Sequence, residues 1–266
     1  MVRRPLGNHH DGPDTLLVTS DATSDAPSVA SENEKLRELI TSARVVLWDF
    51  DGPICRLFAR HRAERVAADL VDWLERQGLR GLLTETERET LDPQVVLRAV
   101  GRRRPGSDLV AGLEERLTQE ELRAAASALP TAWADPLIRT WTAVGARLAV
   151  TTNNSPRAAR TYLESRDLTD CFAPHLYGRT EHLHHLKPHP HCLHRALNAM
   201  GAAPAAALMI GDSLADLTAA REAGVPFLGY ARTENKEKRL RTAGAGHVVR
   251  SLEPLLRLLR RGRPVG

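Results

Sequence analysis

The chain has few aromatic residues, few lysines and few cysteines. Aromatic residues make up 4% of its 266 positions, and four of its 37 basic residues are lysines. With no aromatic side chains among the arginine-rich stretches, a stacking surface for single-stranded nucleic acid is hard to build. Arg102-Arg103-Arg104 and the basic tail from Lys236 to Arg263 are therefore interpreted as solvated faces, and no nucleic-acid partner is predicted.

The cysteine content argues against a disulfide-stabilised protein, and the short apolar runs argue against a membrane-spanning one. Cys55, Cys171 and Cys192 are odd in number and unclustered, which fits reduced thiols better than a disulfide framework. No apolar run approaches the roughly 20 residues that span a bilayer, and the N-terminus lacks the apolar core of a secretion signal. We therefore expect a cytoplasmic protein with no membrane partner, whose oligomeric state the sequence does not indicate.

The rest of the composition is that of a globular protein. Hydrophobic residues at 42% and charged residues at 26% allow a full core in a chain of this length. Residues 1–30 are rich in Asp, Ser, Thr, Pro and Gly without periodicity, and we expect them to be disordered. Ser31-Glu32-Asn33-Glu34 then resembles a capping box, which predicts the start of a short helix.

The most informative segment is Asp49-Phe50-Asp51-Gly52, which directly follows the apolar run from Val45 to Trp48. Successive strand residues point to opposite faces and the chain can turn sharply at Gly52, so one carboxylate can face a substrate while the other is offset from it. Asp49 could then act as a nucleophile and Asp51 could transfer a proton. The alternative is an ordinary strand-end turn, because Asp-Gly is a common turn dipeptide.

Three later segments also place polar residues at or near predicted strand ends. The apolar stretch from Ala146 to Thr151 runs into Thr152-Asn153-Asn154, whose hydroxyl and amide groups could bind a phosphate. Lys187 is one of only four lysines, so its position beside a histidine-rich loop is less easily explained by composition alone. A further apolar run is followed by Asp212 and Asp216, which form a second pair of carboxylates for a metal.

Six histidines between residues 180 and 195 raise the question of a zinc site. Their spacing matches no two-plus-two ligand pattern, and no cysteine pair accompanies them. A polar loop beside Lys187 is the preferred interpretation, in which one or two of the rings could touch a substrate or adjust the lysine. The six are His182, His184, His185, His189, His191 and His194.

Hydrophobic periodicity divides the chain into two kinds of segment. Residues 56–128 have a helical pattern throughout, and the arginine triplet within them could contact an anionic substrate if it faced inward. From Ala146 onward strands and helices alternate, which predicts a parallel sheet whose ligands bind at the carboxyl ends of the strands. We therefore predict an α/β core domain from residues 31–55 and 129–266, with 56–128 as a helical cap domain inserted after the first strand.

Taken in order, the four motifs resemble the haloacid dehalogenase-like hydrolase superfamily. The resemblance is greatest to its phosphatase branch with a helical (C1-type) cap, which includes the phosphoglycolate phosphatases. It covers about residues 44–250, and its specificity comes from four motifs in the right order at strand ends. The fold that it implies is a Rossmann-like three-layer α/β core with a parallel sheet, plus the inserted cap.

The resemblance also implies a role for each motif residue. Asp49 would be the nucleophile that forms an aspartyl-phosphate, and Asp51 would be the general acid and base. Thr152, with Asn153 beside it, would bind the transferring phosphoryl oxygens. Lys187 would neutralise charge on the nucleophile and the phosphate together. This set agrees with the requirements of phosphoryl transfer, which are in-line positioning and neutralisation of the equatorial oxygens.

Magnesium is the cofactor that the resemblance implies. Asp212 would ligate Mg²⁺, Asp216 would help directly or through water, and Asp49 and the backbone carbonyl of Asp51 would complete the protein ligands. Ligands that are all oxygen, with some waters retained, suit Mg²⁺ better than Zn²⁺.

Two features bear on which reaction of the superfamily is expected. Branches that break carbon–halogen bonds lack the second aspartate, so the presence of Asp51 favours phosphate chemistry. Pro53 stands where threonine or valine usually follows the glycine, and it removes a backbone donor. Cys55-Arg56 stands where sugar-phosphate and glycolate-phosphate members often have an acid, which weakens any substrate assignment taken from those members.

The predicted function is a Mg²⁺-dependent phosphatase that hydrolyses a small phosphate monoester through an aspartyl-phosphate. A phosphomutase acting on a sugar phosphate would use the same residues. A non-catalytic binding protein on the same scaffold is the weakest alternative, because such a protein is expected to have lost a catalytic acid or Lys187.

Overall fold

The computed structural model describes residues 29–261, which form eight strands and twelve α-helices. The strands are β1 Val45–Trp48, β2 Cys55–Arg56, β3 Leu129–Pro130, β4 Arg147–Thr151, β5 Leu176–Tyr177, β6 Ala207–Gly211, β7 Phe227–Tyr230 and β8 His247–Val249. The helices are α1 Val29–Ser42, α2 Ala63–Arg76, α3 Glu85–Arg88, α4 Pro93–Arg103, α5 Asp108–Ser127, α6 Ala134–Ala143, α7 Pro156–Ser165, α8 Thr169–Phe172, α9 His191–Met200, α10 Leu214–Glu222, α11 Glu234–Thr242 and α12 Glu253–Arg261.

Six of the strands form one parallel sheet in the order β5-β4-β1-β6-β7-β8. The strand that precedes the Asp49 motif is therefore flanked by the two strands that precede the Thr152 and Asp212 motifs. In the register of the sheet, Trp48 lies beside Val150 on one side and Ile210 on the other. The three polar strand ends consequently lie level with one another at the carboxyl edge of the sheet.

The sheet is the middle layer of three. Alternate residues of β1 point to opposite faces: Val46 and Trp48 pack in one buried apolar cluster, and Val45 and Leu47 pack in another. The first cluster includes buried residues of α1, α6, α7 and α12, and the second includes residues of α9 and α10. Since strands buried on both faces have continuous apolar runs, β1, β4 and β6 have the composition that a central parallel sheet requires.

The segment of the chain between β2 and β3, which contains α2 to α5, forms a separate apolar cluster. The strands β2 and β3 themselves pair in an antiparallel ribbon. Its buried residues come chiefly from one face each of α2, α4 and α5. Two leucines of the histidine-rich loop, Leu183 and Leu186, pack into the same cluster. The loop that carries Lys187 is therefore anchored to the inserted helices as well as to the sheet.

Helix α5 connects the two parts of the molecule. Leu113 and Leu117 belong to the inserted cluster, whereas Ala124 and Ala125 belong to the main core. Between them the Glu121 carboxylate, with no exposed surface, accepts two hydrogen bonds from the equally buried Arg179 guanidinium, at 2.8 and 2.9 Å. The second half of α5 is thus fixed to the loop that follows β5.

The fold predicted from the sequence is confirmed: a parallel α/β core in three layers, with helices inserted after the first strand. The division of the chain into domains at residues 55 and 128 stays a prediction. The predicted start of the first helix is wrong, because helical backbone begins at Val29 and Ser31 lies inside the first turn. Disorder was predicted for residues 1–30; residues 1–28 lie outside the described residues, whereas Val29 and Ala30 are helical. Within the described part of the chain, no helix is long and apolar enough to cross a membrane.

The buried Glu121–Arg179 pair leads to a test of stability. Arg179→Met should destabilise the protein by about 3–5 kcal/mol, because it leaves the Glu121 carboxylate buried without its cation. Adding Glu121→Met should restore much of the loss, since both charges are then gone. Midpoints of urea unfolding measure both effects. Arg257→Met, which removes an exposed partner of Glu253, is the matched control and should change the midpoint little.

Candidate active site

The site lies where the three central strands end. Two glycines allow their loops to approach closely: a Cβ on Gly52 would collide with the carboxylate of Asp212, and a Cβ on Gly211 would collide with the side chain of Asp216. Gly52 also has a φ of +122°, which a side chain strongly disfavours. The close approach of the carboxylates therefore depends on glycine at both positions.

The ammonium group of Lys187 lies at the centre of the site. It donates three hydrogen bonds, to Asp49 Oδ1 at 2.8 Å, to the backbone carbonyl of Thr151 at 2.8 Å and to Asp216 Oδ1 at 2.5 Å. These use all three donors of an ammonium group. Burial alone would lower the pKa of Lys187, but the charges of Asp216 and Asp49 outweigh it and raise the pKa. The lysine is therefore a fixed cation that joins the ends of β1 and β4 to the first turn of α10.

Burial has the largest effect on the pKa of Asp49 and raises it to about 7; the charge of Asp216 acts in the same direction and Lys187 opposes both. Asp49 Oδ1 accepts hydrogen bonds from Lys187 and from the backbone N–H of Phe50 at 2.8 Å. The other carboxylate oxygen has no hydrogen-bond partner among the described residues. It is the oxygen that remains available to react.

Asp216 has both of its oxygens occupied by protein donors. Oδ1 accepts from Lys187, and Oδ2 accepts from the backbone of Asp212 at 3.1 Å and from the hydroxyl of Ser213 at 2.7 Å. Although burial raises the pKa of Asp216, the charge of Lys187 and these hydrogen bonds lower it overall. Asp216 is thus a permanent anion that holds the lysine and the first turn of α10 together.

The Asp51 carboxylate is held by the backbone just after β2. Its Oδ1 accepts a hydrogen bond from the backbone N–H of Leu57 at 2.8 Å. Burial raises the pKa of Asp51 to about 6, despite the opposing effect of that hydrogen bond. The turn that follows Asp51 is held by Thr131, whose hydroxyl donates to the carbonyl of Gly52 at 2.5 Å. Asp51 can therefore carry a proton close to neutral pH, which general acid catalysis requires.

Thr152 and Asn153 lie at the same edge of the sheet, and most of their side-chain polar groups form hydrogen bonds with other residues of the protein. The Thr152 hydroxyl donates to Asn154 Oδ1 at 3.0 Å. The Asn153 side chain accepts from the backbone N–H of Lys187 at 2.7 Å and donates to its carbonyl at 3.0 Å. A carboxamide has two N–H donors, so one N–H of Asn153 remains free for a ligand. Asn153 also positions the lysine, a role that the sequence did not suggest.

The acidic residues fit a hard divalent cation. Asp49, Asp212 and Asp216 each offer a carboxylate oxygen, and these oxygens lie within 4.8 Å of one another. Burial raises the pKa of Asp212 to about 6; the charge of Lys236 opposes this rise and the charge of Asp216 adds to it. Because both oxygens of Asp216 already accept hydrogen bonds, contact with a metal through water suits Asp216 better than direct ligation.

A cavity of roughly 400 Å³ opens between this edge of the sheet and the inserted helices. The residues from the core are Asp49, Asp51, Thr152, Asn153, Asn154, Lys187, Ser213, Ala215 and Asp216, and those from the inserted segment include Phe58, Ala63, Arg98 and residues 91–95. All of the candidate residues except Asp212 therefore line one cavity.

Two cations that the sequence motifs did not include lie near the site. Arg98 on α4 lines the cavity and donates to the backbone carbonyl of Lys187 at 2.7 Å. Lys236 on α11 contacts the carboxylate of Asp212. The rarity of lysine was a signal that could have drawn attention to Lys236, as it did to Lys187. Arg98 is one of 33 arginines and carried no such signal.

The histidine-rich loop forms a stack of rings beside the site. The ring centroids of His185 and His191 lie 3.9 Å apart, and those of His184 and His185 lie 4.1 Å apart. Arg102 and Arg103 of the arginine triplet pair with Glu87 on the inserted segment. The interpretation of the histidines as a polar loop, not a zinc site, stays a prediction.

Comparisons with known proteins agree with this geometry. A family model described as haloacid dehalogenase-like hydrolase matches residues 43–224. A phosphoglycolate phosphatase of Rhodospirillum rubrum is 39% identical over 113 residues, which cover 41% of this chain and 45% of that protein. A phosphoglycolate phosphatase of Thiobacillus denitrificans is 38% identical over 99 residues, which cover 36% of this chain and 43% of that protein. The chain thus spans less than half the length of these two relatives.

Solved structures show the same fold. CbbY from Rhodobacter sphaeroides, in complex with phosphate, superposes with a TM-score of 0.58 at 21% identity, covering 79% of this chain and 94% of that chain. At such an identity the likeness concerns the fold alone. The family model, however, spans all four motifs and more than half of the chain. The resemblance inferred from the motifs is confirmed, and the chain belongs to the haloacid dehalogenase-like hydrolase family.

Proposed function

We propose that the protein is a Mg²⁺-dependent phosphatase that hydrolyses a small phosphate monoester through an aspartyl-phosphate on Asp49. The observation that carries the proposal is the buried lysine of the site, which binds one oxygen of Asp49 and leaves the other free beside a cavity. Asp51, with its raised pKa, lines the same cavity. A nucleophile, a proton donor and a fixed cation are thus arranged around one reacting centre.

In the first half-reaction, the free oxygen of Asp49 attacks phosphorus and the bond from phosphorus to the ester oxygen breaks. Asp51 gives its proton to that oxygen, so that a neutral alcohol leaves. Lys187 holds the Asp49 carboxylate in one orientation and offsets negative charge that builds up around it. The free N–H of Asn153 is placed to bind a phosphoryl oxygen.

In the second half-reaction, Asp51 is now a carboxylate and takes a proton from water. The water oxygen bonds to phosphorus, the bond to Asp49 breaks, and the products are inorganic phosphate, the Asp49 carboxylate and protonated Asp51, as at the start of the cycle. The same side chain therefore acts as acid and then as base, and a pKa near 6 suits both tasks at neutral pH.

Mg²⁺ would be held by Asp49, Asp212 and the backbone carbonyl of Asp51, with Asp216 in contact through water. When bound, it offsets the charge of the carboxylates and of the phosphoryl oxygens.

The substrate is proposed to be small because the inserted helices enclose the cavity. Residues 91–95 and Arg98 face the catalytic edge of the sheet across roughly 400 Å³, which limits the size of the phosphate ester that can bind there. We propose that residues 56–128 act as the cap that excludes bulk water and selects the substrate. The relatives named phosphoglycolate phosphatase support a substrate of this size.

Phosphate release from a panel of phosphate monoesters tests the activity. Wild-type protein should release phosphate with Mg²⁺ and not with EDTA. Asp49→Asn should lower the rate by about 10³-fold or more, because no covalent intermediate can form. Asp72→Asn, at an exposed position on α2, is the matched control and should retain the wild-type rate.

Two results would count against the phosphatase. If no compound released phosphate, weight would move to a non-catalytic binding protein. If a sugar phosphate were isomerised with little free phosphate, the enzyme would be a phosphomutase.

The double role of Asp51 leads to a second prediction. With an aryl phosphate, whose leaving group needs little protonation, Asp51→Asn should release about one equivalent of the phenol per enzyme and then stall. The stall follows because no base remains to activate water for the second half-reaction. Rapid-quench kinetics and acid-trapped phosphoprotein measure the two steps. Steady turnover of the variant at a rate near that of the wild type would show that Asp51 has no such role.

A further inference from the structure

A second cavity lies on the other side of the proton donor. It encloses roughly 470 Å³ and is lined by Asp51, Gly52 and Asp212 together with three cationic side chains, Arg56, Arg232 and Lys236. Asp51 and Phe58 line both this cavity and the first one. The two cavities therefore adjoin at the residue proposed to protonate the leaving group.

The charges around the second cavity are not balanced. Lys236 contacts Asp212, so these two charges offset each other. Arg56 and Arg232 have no ion pair with any residue in the described part of the chain. The Arg56 Nε atom is buried and lacks a hydrogen-bond acceptor. Because Arg56 and Arg232 lack ion-pair partners among the described residues, this wall of the cavity is suited to an anion.

The two unpaired arginines come from different parts of the fold. Arg56 lies on β2, in the ribbon that connects the inserted helices to the core. Arg232 lies in the loop between β7 and α11, next to Thr233, which caps that helix. The first turn of α11 adds partial positive charge to the same region. An anion held by both arginines would bridge the ribbon and the core.

We propose that Arg56 and Arg232 bind a second anionic group of the substrate, so that the preferred substrates are phosphate monoesters whose leaving group carries a carboxylate or a second phosphate. The inference rests on the proposed phosphatase function. The leaving oxygen must lie next to Asp51 to receive its proton, and Asp51 lines the cationic cavity. A leaving group directed into this cavity places its far end between the two arginines.

Arg98 is the competing anchor, because it lies on the opposite wall of the first cavity. Its guanidinium already donates to the carbonyl of Lys187, which assigns it to holding the lysine loop. The two arrangements make different predictions. If the anionic group bound at Arg98, the preference for a second anionic group would not depend on Arg56 or Arg232.

The test uses alkanediol bisphosphates of two to five carbons, each compared with the monophosphate of the same diol. The quantity measured is the ratio of kcat/KM for the bisphosphate to kcat/KM for the monophosphate. The wild type should favour the bisphosphate at one or more chain lengths. Arg232→Gln and Arg56→Gln should each reduce this preference by about tenfold, because a charged hydrogen bond is lost. Lys236 is left unchanged, since it contacts Asp212.

Two further variants complete the design. Arg257→Gln, on the exposed face of α12, should retain the preference. Arg98→Gln should retain it as well; a loss confined to Arg98→Gln would overturn the inference. Arg232 is exposed, so its variant is informative even if Arg56→Gln fails to fold.

Two other outcomes would also overturn the inference. The wild type could show no preference at any length. The arginine variants could weaken inhibition by inorganic sulfate while keeping the preference, which would mean that the cavity holds a free anion. Failure of the proposed function is distinguishable, because neither the bisphosphates nor the monophosphates would then release phosphate.

Discussion

The site depends on the hydrogen bonds and ion pairs that the buried ammonium group of Lys187 forms. This group binds Asp49 after β1, the Thr151 carbonyl at the end of β4 and Asp216 after β6. Each carboxylate would be costly to bury without a cation, and the lysine would be costly to bury without the carboxylates. The three strand ends are therefore held together by a charge network that is complete only in the folded state.

The second constraint is the close approach of the loops. The carboxylate of Asp212 lies where a side chain at Gly52 would be, and Asp216 lies where a side chain at Gly211 would be. Burial raises the pKa values of Asp49, Asp51 and Asp212, and the charges of neighbouring carboxylates add to the effect. The same grouping of carboxylates offers ligands for a hard cation. The proposed metal binding and proton transfer thus depend on one feature of the backbone.

The inserted helices are joined to this network rather than placed freely above it. Arg98 on α4 donates to the carbonyl of Lys187, and Leu183 and Leu186 of the lysine loop pack among the inserted helices. At the other end, the buried Glu121–Arg179 pair fixes α5 to the core.

The sequence by itself determined the α/β fold and the positions of the motif residues, because apolar runs that end in carboxylates, hydroxyls and glycine specify buried parallel strands with a polar edge. It could not show that Asn153 clamps the lysine backbone, that Asp216 has both oxygens occupied, or that Arg56, Arg232 and Lys236 share a cavity. Those facts depend on contacts between residues far apart in the chain, and periodicity carries no information about them. Only the tertiary structure decided which of the many arginines lie beside the reacting groups.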